Sequence, residues 1–305
     1  MTVIYDNIAF IGLGLIAGSM AWATKRAGSA KAISGYARSE ATRATTRSLG
    51  FCDVVTDTAA EAVADADLVV LAVPIGAMGP VMEEIAGALK PGAVVTDVGS
   101  VKQAVFDAVL PHLPTGTHFV GTHPMAGTEH SGPEAGFAEL YDNRWTLIVT
   151  PDGTDPAVVS RVEDYWASLG AMTDRMDVGH HDRVCAVVSH IPHLIAYTMV
   201  GVADDLRRVT DSEVIKFSAA GFRDFTRIAA SDPTMWRDVF LTNKDATLEI
   251  LGRFTEELFA LQRAIRTGDG DHLFDYFTRT RAIRRGIIEA GQDTDAPDFG
   301  RGAKR

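Results

Sequence analysis

At 305 residues the chain has the length for two domains, and 46% hydrophobic with 23% charged residues is the balance of a globular protein, which excludes disordered and fibrous classes. A formal charge of -11 repels phosphate backbones, so no nucleic-acid partner is expected. Two cysteines far apart, Cys52 and Cys185, imply no disulfide framework and fit a reducing, cytoplasmic setting. The apolar run Ile8 to Ala23 follows Asp6, contains three glycines, lacks a basic lead and is shorter than the roughly 20 residues of a spanning helix. Neither a signal peptide nor a membrane partner is expected.

The first predicted strand, Asn7 to Ile11, runs into Gly12-Leu13-Gly14-Leu15-Ile16-Ala17-Gly18, and a helix is expected over Ser19 to Ala27. Strand, glycine turn and helix together make a dinucleotide-binding fingerprint. The turn must be tight, and bare backbone must approach a pyrophosphate where a helix N-terminus offers N–H groups. Gly12, Leu13, Gly14, Leu15, Ile16 and Ala17 are therefore the expected cofactor-binding residues, with Ala17 at the third small position. A second strand over Lys31 to Tyr36 and a polar helix over Ser39 to Leu49 complete the unit. The second strand is followed by Ala37-Arg38-Ser39 and not by an acid. A cation and a hydroxyl suit a 2′-phosphate, so Arg38 and Ser39 favour NADP over NAD.

The alternation continues with strands over Asp67 to Val73, Ala93 to Asp97, His118 to Thr122 and Trp145 to Thr150, and helices over Gly79 to Leu89, Val101 to Leu110 and Pro156 to Leu169. Ala171 to Met176 reads as one more strand. The pattern specifies an α/β Rossmann-type, doubly wound parallel sheet with ligands beyond the carboxyl ends of its strands. That edge receives the loops containing Val73 and Pro74, and Asp97 to Lys102 with Ser100. It also receives Gly121-Thr122-His123-Pro124-Met125-Ala126-Gly127-Thr128-Glu129, in which His123 is expected to leave a strand end into a glycine-bounded loop.

Beyond residue 176 the reading is all helical. Asp182 to Ala203 reads as an apolar helix that Pro192 should kink, since proline supplies no N–H. His190, His193 and Tyr197 share one face of it. With His180 and His181 they raise a metal site, but no set of three or four ligands with a carboxylate at metal spacing emerges, and no metal is expected. Asp232-Pro233 starts a helix whose apolar series from Trp236 through Val239, Phe240, Leu251, Phe254, Leu258 and Leu261 to Ile265 extends to Arg266, interrupted by a polar segment around Asn243 to Thr247. A pattern of that length, about 50 Å, predicts pairing with a second copy. The expected domains are 1–176, dinucleotide-binding; 177–291, an all-α substrate and dimerisation domain ending in a helix over Asp271 to Ala290; and a tail, 292–305.

A dinucleotide site, a histidine beyond the sheet and arginines on the helical half suggest hydride transfer from an anionic substrate. His123 can accept a hydroxyl proton, and Arg227 offers a carboxylate two parallel donors. Three separated motifs then match one family: Gly121 to Glu129, Val187-Val188-Ser189-His190-Ile191-Pro192-His193, and Phe225-Thr226-Arg227-Ile228-Ala229 through Met235-Trp236-Arg237-Asp238. The chain from residue 7 to 290 resembles the prephenate and arogenate dehydrogenases of tyrosine biosynthesis. The resemblance implies that His123 takes the ring-hydroxyl proton, that Ser100 orients His123 and the nicotinamide, and that Arg227 holds a carboxylate. It further implies that His193, Glu129 and Thr128 face the substrate or its gate, and that Trp236 walls the pocket. The expected activity is oxidative decarboxylation of prephenate or L-arogenate with NADP or NAD.

A β-hydroxyacid or 6-phosphogluconate-type dehydrogenase shares the plan, but its catalytic lysine on a glycine-rich helix has no clear counterpart here. A non-catalytic dinucleotide sensor would need the glycine turn but not an ordered set of His123, His193 and Arg227.

Overall fold

The computed structural model describes residues 2–210 and 218–289. They fall into two compact units that divide between Thr247 and Leu248. The expected tail, 292–305, and Ala290, the last residue of the final predicted helix, lie outside the described residues.

The first unit holds an eight-stranded sheet of order β3-β2-β1-β4-β5-β6-β7-β8. Its strands are β1 (Tyr5–Ile11), β2 (Ala30–Tyr36), β3 (Val54–Val55), β4 (Leu68–Leu71), β5 (Val94–Asp97), β6 (His118–Pro124), β7 (Trp145–Val149) and β8 (Met172–Arg175). Every neighbouring pair is parallel except β6 and β7. The reversal follows from the connection: β6 returns as β7 through a turn-rich segment instead of a crossover helix, and antiparallel pairing needs no crossover.

Two-residue alternation sorts the strands between two cores. Ile8, Phe10, Leu68, Val70, Val94 and Val120 face one layer with α1 (Leu15–Ala27) and α6 (Pro156–Ser168). Ala9, Ile11, Val69, Leu71, Val95 and Phe119 face the other with α3 (Ala59–Val63), α4 (Ile75–Ile85) and α5 (Lys102–Val109). α2 (Glu40–Leu49) follows β2, capped by the Ser39 hydroxyl, which accepts the Thr42 N–H at 3.4 Å. The register aligns Ile11 with Leu71, Leu71 with Asp97, and Asp97 with Gly121, so the carboxyl ends of β1, β4, β5 and β6 share one edge. The sheet type agrees with the sequence. Strand β3 and helix α3 were not anticipated, being two and five residues long, and α4 starts at Ile75 instead of Gly79.

After β8 the elements among the described residues are helical: α7 (Val178–Cys185), a π-helical turn (Ala186–His190), α8 (Ile191–Thr210), α9 (Ala220–Thr226), a 3₁₀ turn (Arg227–Ala230), α10 (Pro233–Thr242), α11 (Lys244–Thr267) and α12 (Gly270–Glu289). The wide turn sits immediately before Pro192, where the missing N–H interrupts regular hydrogen bonding. Val178–Asp205 has the length and hydropathy of a spanning helix, but its buried residues include His181, Asp182 and His190, hydrogen-bonded within the protein. The continuous helix expected from Trp236 to Arg266 is corrected to two, because Asn243 leaves helical geometry at φ -102, ψ 39 between α10 and α11. The polar break Asn243 to Thr247 in the apolar series marks that interruption.

Candidate active site

The glycine turn has the geometry a dinucleotide requires. Gly12 has φ +93, and a Cβ there would stand 2.4 Å from the Ala72 carbonyl oxygen, so only glycine fits. A Cβ on Gly14 would meet nothing within 4 Å, which leaves its backbone bare at the start of α1, a helix whose N-terminus no side chain caps. Leu15, Ile16 and Ala17 form that first turn, and Leu13 and Ala17 are buried in the core beneath it. A cleft of about 290 Å³ joins Gly12, Leu13 and Gly14 to Arg38, Ser39 and Thr42 on one side and to Val73 and Pro74 on the other. Of the expected cofactor residues, Gly12, Leu13, Gly14, Arg38, Ser39, Val73 and Pro74 line this cleft, whereas Leu15, Ile16, Ala17 and Ser100 do not; an open helix N-terminus suits a pyrophosphate.

His123 corrects the sequence reading of its surroundings. It belongs to β6, paired across the sheet with Leu147, and is buried instead of lying in an open loop. Its Nδ1 is 2.9 Å from Nε2 of His181, and the His181 Nδ1 is 2.7 Å from Oδ1 of Asp182. Asp182 accepts the N–H of Lys102 at 2.7 Å and that of Gln103 at 3.0 Å, the first residues of α5. Cys185 Sγ lies 3.4 Å from His123 Nδ1 and 3.5 Å from His181 Nε2. Burial pushes the Cys185 thiol up to about 12, so it stays protonated. Burial, followed by His181, Lys102 and His190, holds the His123 imidazole well below its ordinary range, and His123 is neutral at pH 7. His123, His181 and Cys185 each bring one ligand atom within 4.8 Å of the others, a spacing that their own hydrogen bonds account for. Occupation by a metal would take the nitrogen lone pairs that the hydrogen-bonded histidines use.

The loop after β5 is clamped from beneath. Asp97, fully buried, accepts Lys102 Nζ at 2.5 Å and the Gly99 N–H at 2.7 Å on Oδ2, and the Thr122 N–H at 3.3 Å on Oδ1. Ser100 rides on this clamped turn, half-buried. No hydrogen bond joins it to His123 among the described residues; His181 occupies the ring Nδ1.

A wall of aromatic and charged groups continues from His190. The Asn243 side-chain amide donates to the Asp182 carbonyl at 2.9 Å and to His190 Nδ1 at 3.0 Å. His190 meets the Trp236 ring edge-on at 6.1 Å, and His193 stacks on its face. His193 Nδ1 donates to the Ser189 carbonyl at 2.8 Å. Arg227 pairs with Glu129 at 2.6 Å, and the Glu129 carboxyl is held below its usual range by its own backbone N–H and by the Arg227 guanidinium. Thr128, exposed, accepts the His130 N–H at 3.2 Å. Asp182, Cys185 and Asn243 were not singled out as functional from the sequence; Asp97 and Lys102 were named only as the ends of a loop at the ligand edge, and His181 only in a metal site that was not expected. The one local signal for them was polar residues inside apolar runs.

Two family models cover most of the chain: prephenate dehydrogenase, nucleotide-binding domain, matches residues 20–174, and prephenate dehydrogenase, dimerization domain, matches residues 177–279. The chain is 42% identical over 285 residues to a cyclohexadienyl dehydrogenase of Zymomonas mobilis, covering 93% of this chain and 96% of that one. It is 34% identical over 288 residues to a prephenate dehydrogenase of Bacillus subtilis, covering 94% and 77%. A crystal structure of prephenate dehydrogenase from Aquifex aeolicus, in complex with hydroxyphenyl propionate and NAD+, superposes with a TM-score of 0.84 at 33% identity, covering 92% of this chain and 98% of that one. With a glycine turn shaped for a dinucleotide, a neutral buried histidine at the same sheet edge and matches along both halves, the chain belongs to the prephenate dehydrogenase family.

Proposed function

We propose that this protein oxidatively decarboxylates prephenate, L-arogenate or both, with His123 accepting the ring-hydroxyl proton. The observation that carries the reading is the state of His123. It is neutral, held at Nδ1 by His181, and its Nε2 has no partner among the described residues. A neutral imidazole with one nitrogen fixed and the other free is a general base. Nicotinamide, when bound, supplies the hydride acceptor. The chain's own groups hold the substrate and take the proton. As the carbon-bound hydrogen leaves with its electron pair, the hydroxyl proton passes to His123 Nε2, the ring–carboxylate bond breaks, carbon dioxide departs and the ring becomes aromatic. The Arg227 guanidinium binds a substrate carboxylate and is presented by Glu129. His193, Thr128 and Trp236 line the substrate side, and Ser100 lies between substrate and nicotinamide.

The cofactor is an NAD(P) dinucleotide. Of the two forms we propose NADP, supported by Arg38 and the start of α2 in the same cleft as the glycine turn and by the absence of an acid at residues 37–39. Ser39 contributes chiefly as the cap that fixes this helix start. The functional division is proposed at residue 176, with residues 177–291 as the substrate and dimerisation domain. A homodimer through the C-terminal helices is supported by exposed Leu258, Phe259, Ile265, Phe274, Phe277 and Ile283 on α11 and α12. Cytoplasmic operation fits two free thiols, Cys52 and Cys185.

The test is an assay of reduced cofactor by absorbance with each substrate and each cofactor. Turnover is expected in at least one of the four combinations, and failure of all four overturns the reading. Replacing His123 by Asn should slow turnover by about a hundredfold or more with cofactor affinity retained.

A further inference from the structure

We propose that Asp182 and His181 are positioning residues that set the tautomer of His123, so that its Nε2, and not its Nδ1, carries the lone pair offered to the substrate. The inference rests on the reading of His123 as proton acceptor and deepens it.

The assignment runs from the backbone outward. Helix α5 begins after Val101 with no side-chain cap of its own. Its first two N–H groups, of Lys102 and Gln103, are instead satisfied by the two oxygens of Asp182, about 80 residues away in sequence. A carboxylate that accepts two backbone N–H groups at a helix start is held ionised, and an ionised carboxylate can only accept. The His181 Nδ1, 2.7 Å from Oδ1, must therefore carry a proton. Burial keeps His181 neutral, so its Nε2 has the lone pair. The His123 Nδ1, 2.9 Å from that lone pair, must donate. His123 is neutral as well, so its second nitrogen is bare. One fixed proton at each step transmits the orientation of α5 to the reacting nitrogen.

Charge completes the argument. Around His123 and His181 stand Lys102, Asp97, Asp182, His190 and Cys185. Lys102 is cancelled by Asp97 at 2.5 Å, and burial keeps the Cys185 thiol protonated and His190 neutral. Asp182 remains as one uncompensated negative charge, separated from His123 by a single neutral ring. When His123 gains a proton, the imidazolium is balanced at that distance.

Two measurements on the full-length protein test this. The first uses ¹⁵N-histidine NMR of the free enzyme, with the His123 signals assigned by their loss in His123→Asn. The wild type should show His123 protonated at Nδ1, and Asp182→Asn should move it toward the Nε2–H form, because an amide can donate to His181 and reverse the chain. A wild-type His123 protonated at Nε2 overturns the proposal whether or not any substrate turns over, which separates its failure from that of the proposed activity. The second is steady-state kinetics. His181→Leu should lower kcat by about a hundredfold with cofactor KM within about threefold. His181→Gln should recover most of that loss, since its carbonyl can accept from His123 while its amide donates to Asp182. Asp182→Asn should move the acid limb of kcat/KM to lower pH. If His181→Leu and His181→Gln lose activity equally, or Asp182→Asn leaves the acid limb in place, the role is structural and the proposal is wrong.

Discussion

His193 lies flat against Trp236, ring centroids 3.7 Å apart and planes inclined by 26°, so a candidate substrate-side histidine is fixed by a core tryptophan. Trp236 is 7% exposed and packs with Val239 into the core formed by α3, α4 and α5. The contact ties the helical segment to the sheet. Trp236→Ala should therefore lose both packing and His193 orientation. The expected cost is about 3–5 kcal/mol of stability in urea denaturation, with a higher substrate KM. A variant with unchanged midpoint and KM would show that the stack carries neither role.

Acid should destabilise the protein in a defined window. The His190 imidazole is depressed to about 4 by burial, against an ordinary value near 6.5. A histidine lowered in the folded state is neutral there while the unfolded chain takes up a proton. The stability linked to its neutral form is thus complete above about pH 6.5 and is lost progressively as pH falls toward 4. Each pH unit in that window removes up to about 1.4 kcal/mol for such a histidine. His123 and His181 are shifted the same way by burial and add to the slope. Melting temperature should fall steeply between pH 6.5 and 4, and His190→Leu should flatten the curve. Equal slopes for wild type and variant would rule His190 out as a source.

A second lowered histidine, His123, sets the rate profile. His123 acts as a base only when unprotonated, and burial with its cationic and imidazole neighbours keeps it unprotonated at neutral pH. The acid limb of kcat/KM should lie below pH 6.5, the ordinary value. A limb above 7 would mean that another group limits the reaction.

Arg227 and Glu129 form a half-exposed pair, with side-chain exposures of 42% and 27%. Exposed pairs contribute only about 0–1 kcal/mol to folding. Arg227→Ala should leave the melting temperature nearly unchanged yet raise substrate KM by about ten- to a hundredfold, the loss of a charge-assisted hydrogen bond of about 1.5–3 kcal/mol. A large stability loss with normal KM would reassign Arg227 to the scaffold.

Arg38 provides the cofactor test. It is exposed at the cleft edge, and among the described residues its guanidinium makes no hydrogen bond or ion pair that a phosphate would have to displace. Arg38→Ala should raise the KM for NADP by about tenfold or more and leave that for NAD nearly unchanged. An equal effect on both would remove the 2′-phosphate from its role.

The sequence by itself determined the fold class and the family, because both are written in local patterns. Alternating residues in β1, β4, β5 and β6 divide two cores, Gly12 occupies a conformation other residues avoid, and Asp232-Pro233 starts a helix. His123, Arg227 and Trp236 were proposed from the sequence because they sit in compact motifs. The tertiary structure decided what surrounds His123. Asp182 stands 80 residues from the N–H of Lys102, His181 58 from His123, and Asn243 53 from His190. No period or spacing along the chain records such separations. Only the crossing of α7 over the start of α5, and the break between α10 and α11, bring those partners within hydrogen-bond reach. The buried field that keeps His123 neutral arises from the same convergence, since desolvation depends on what surrounds a group in space and not on its neighbours in sequence.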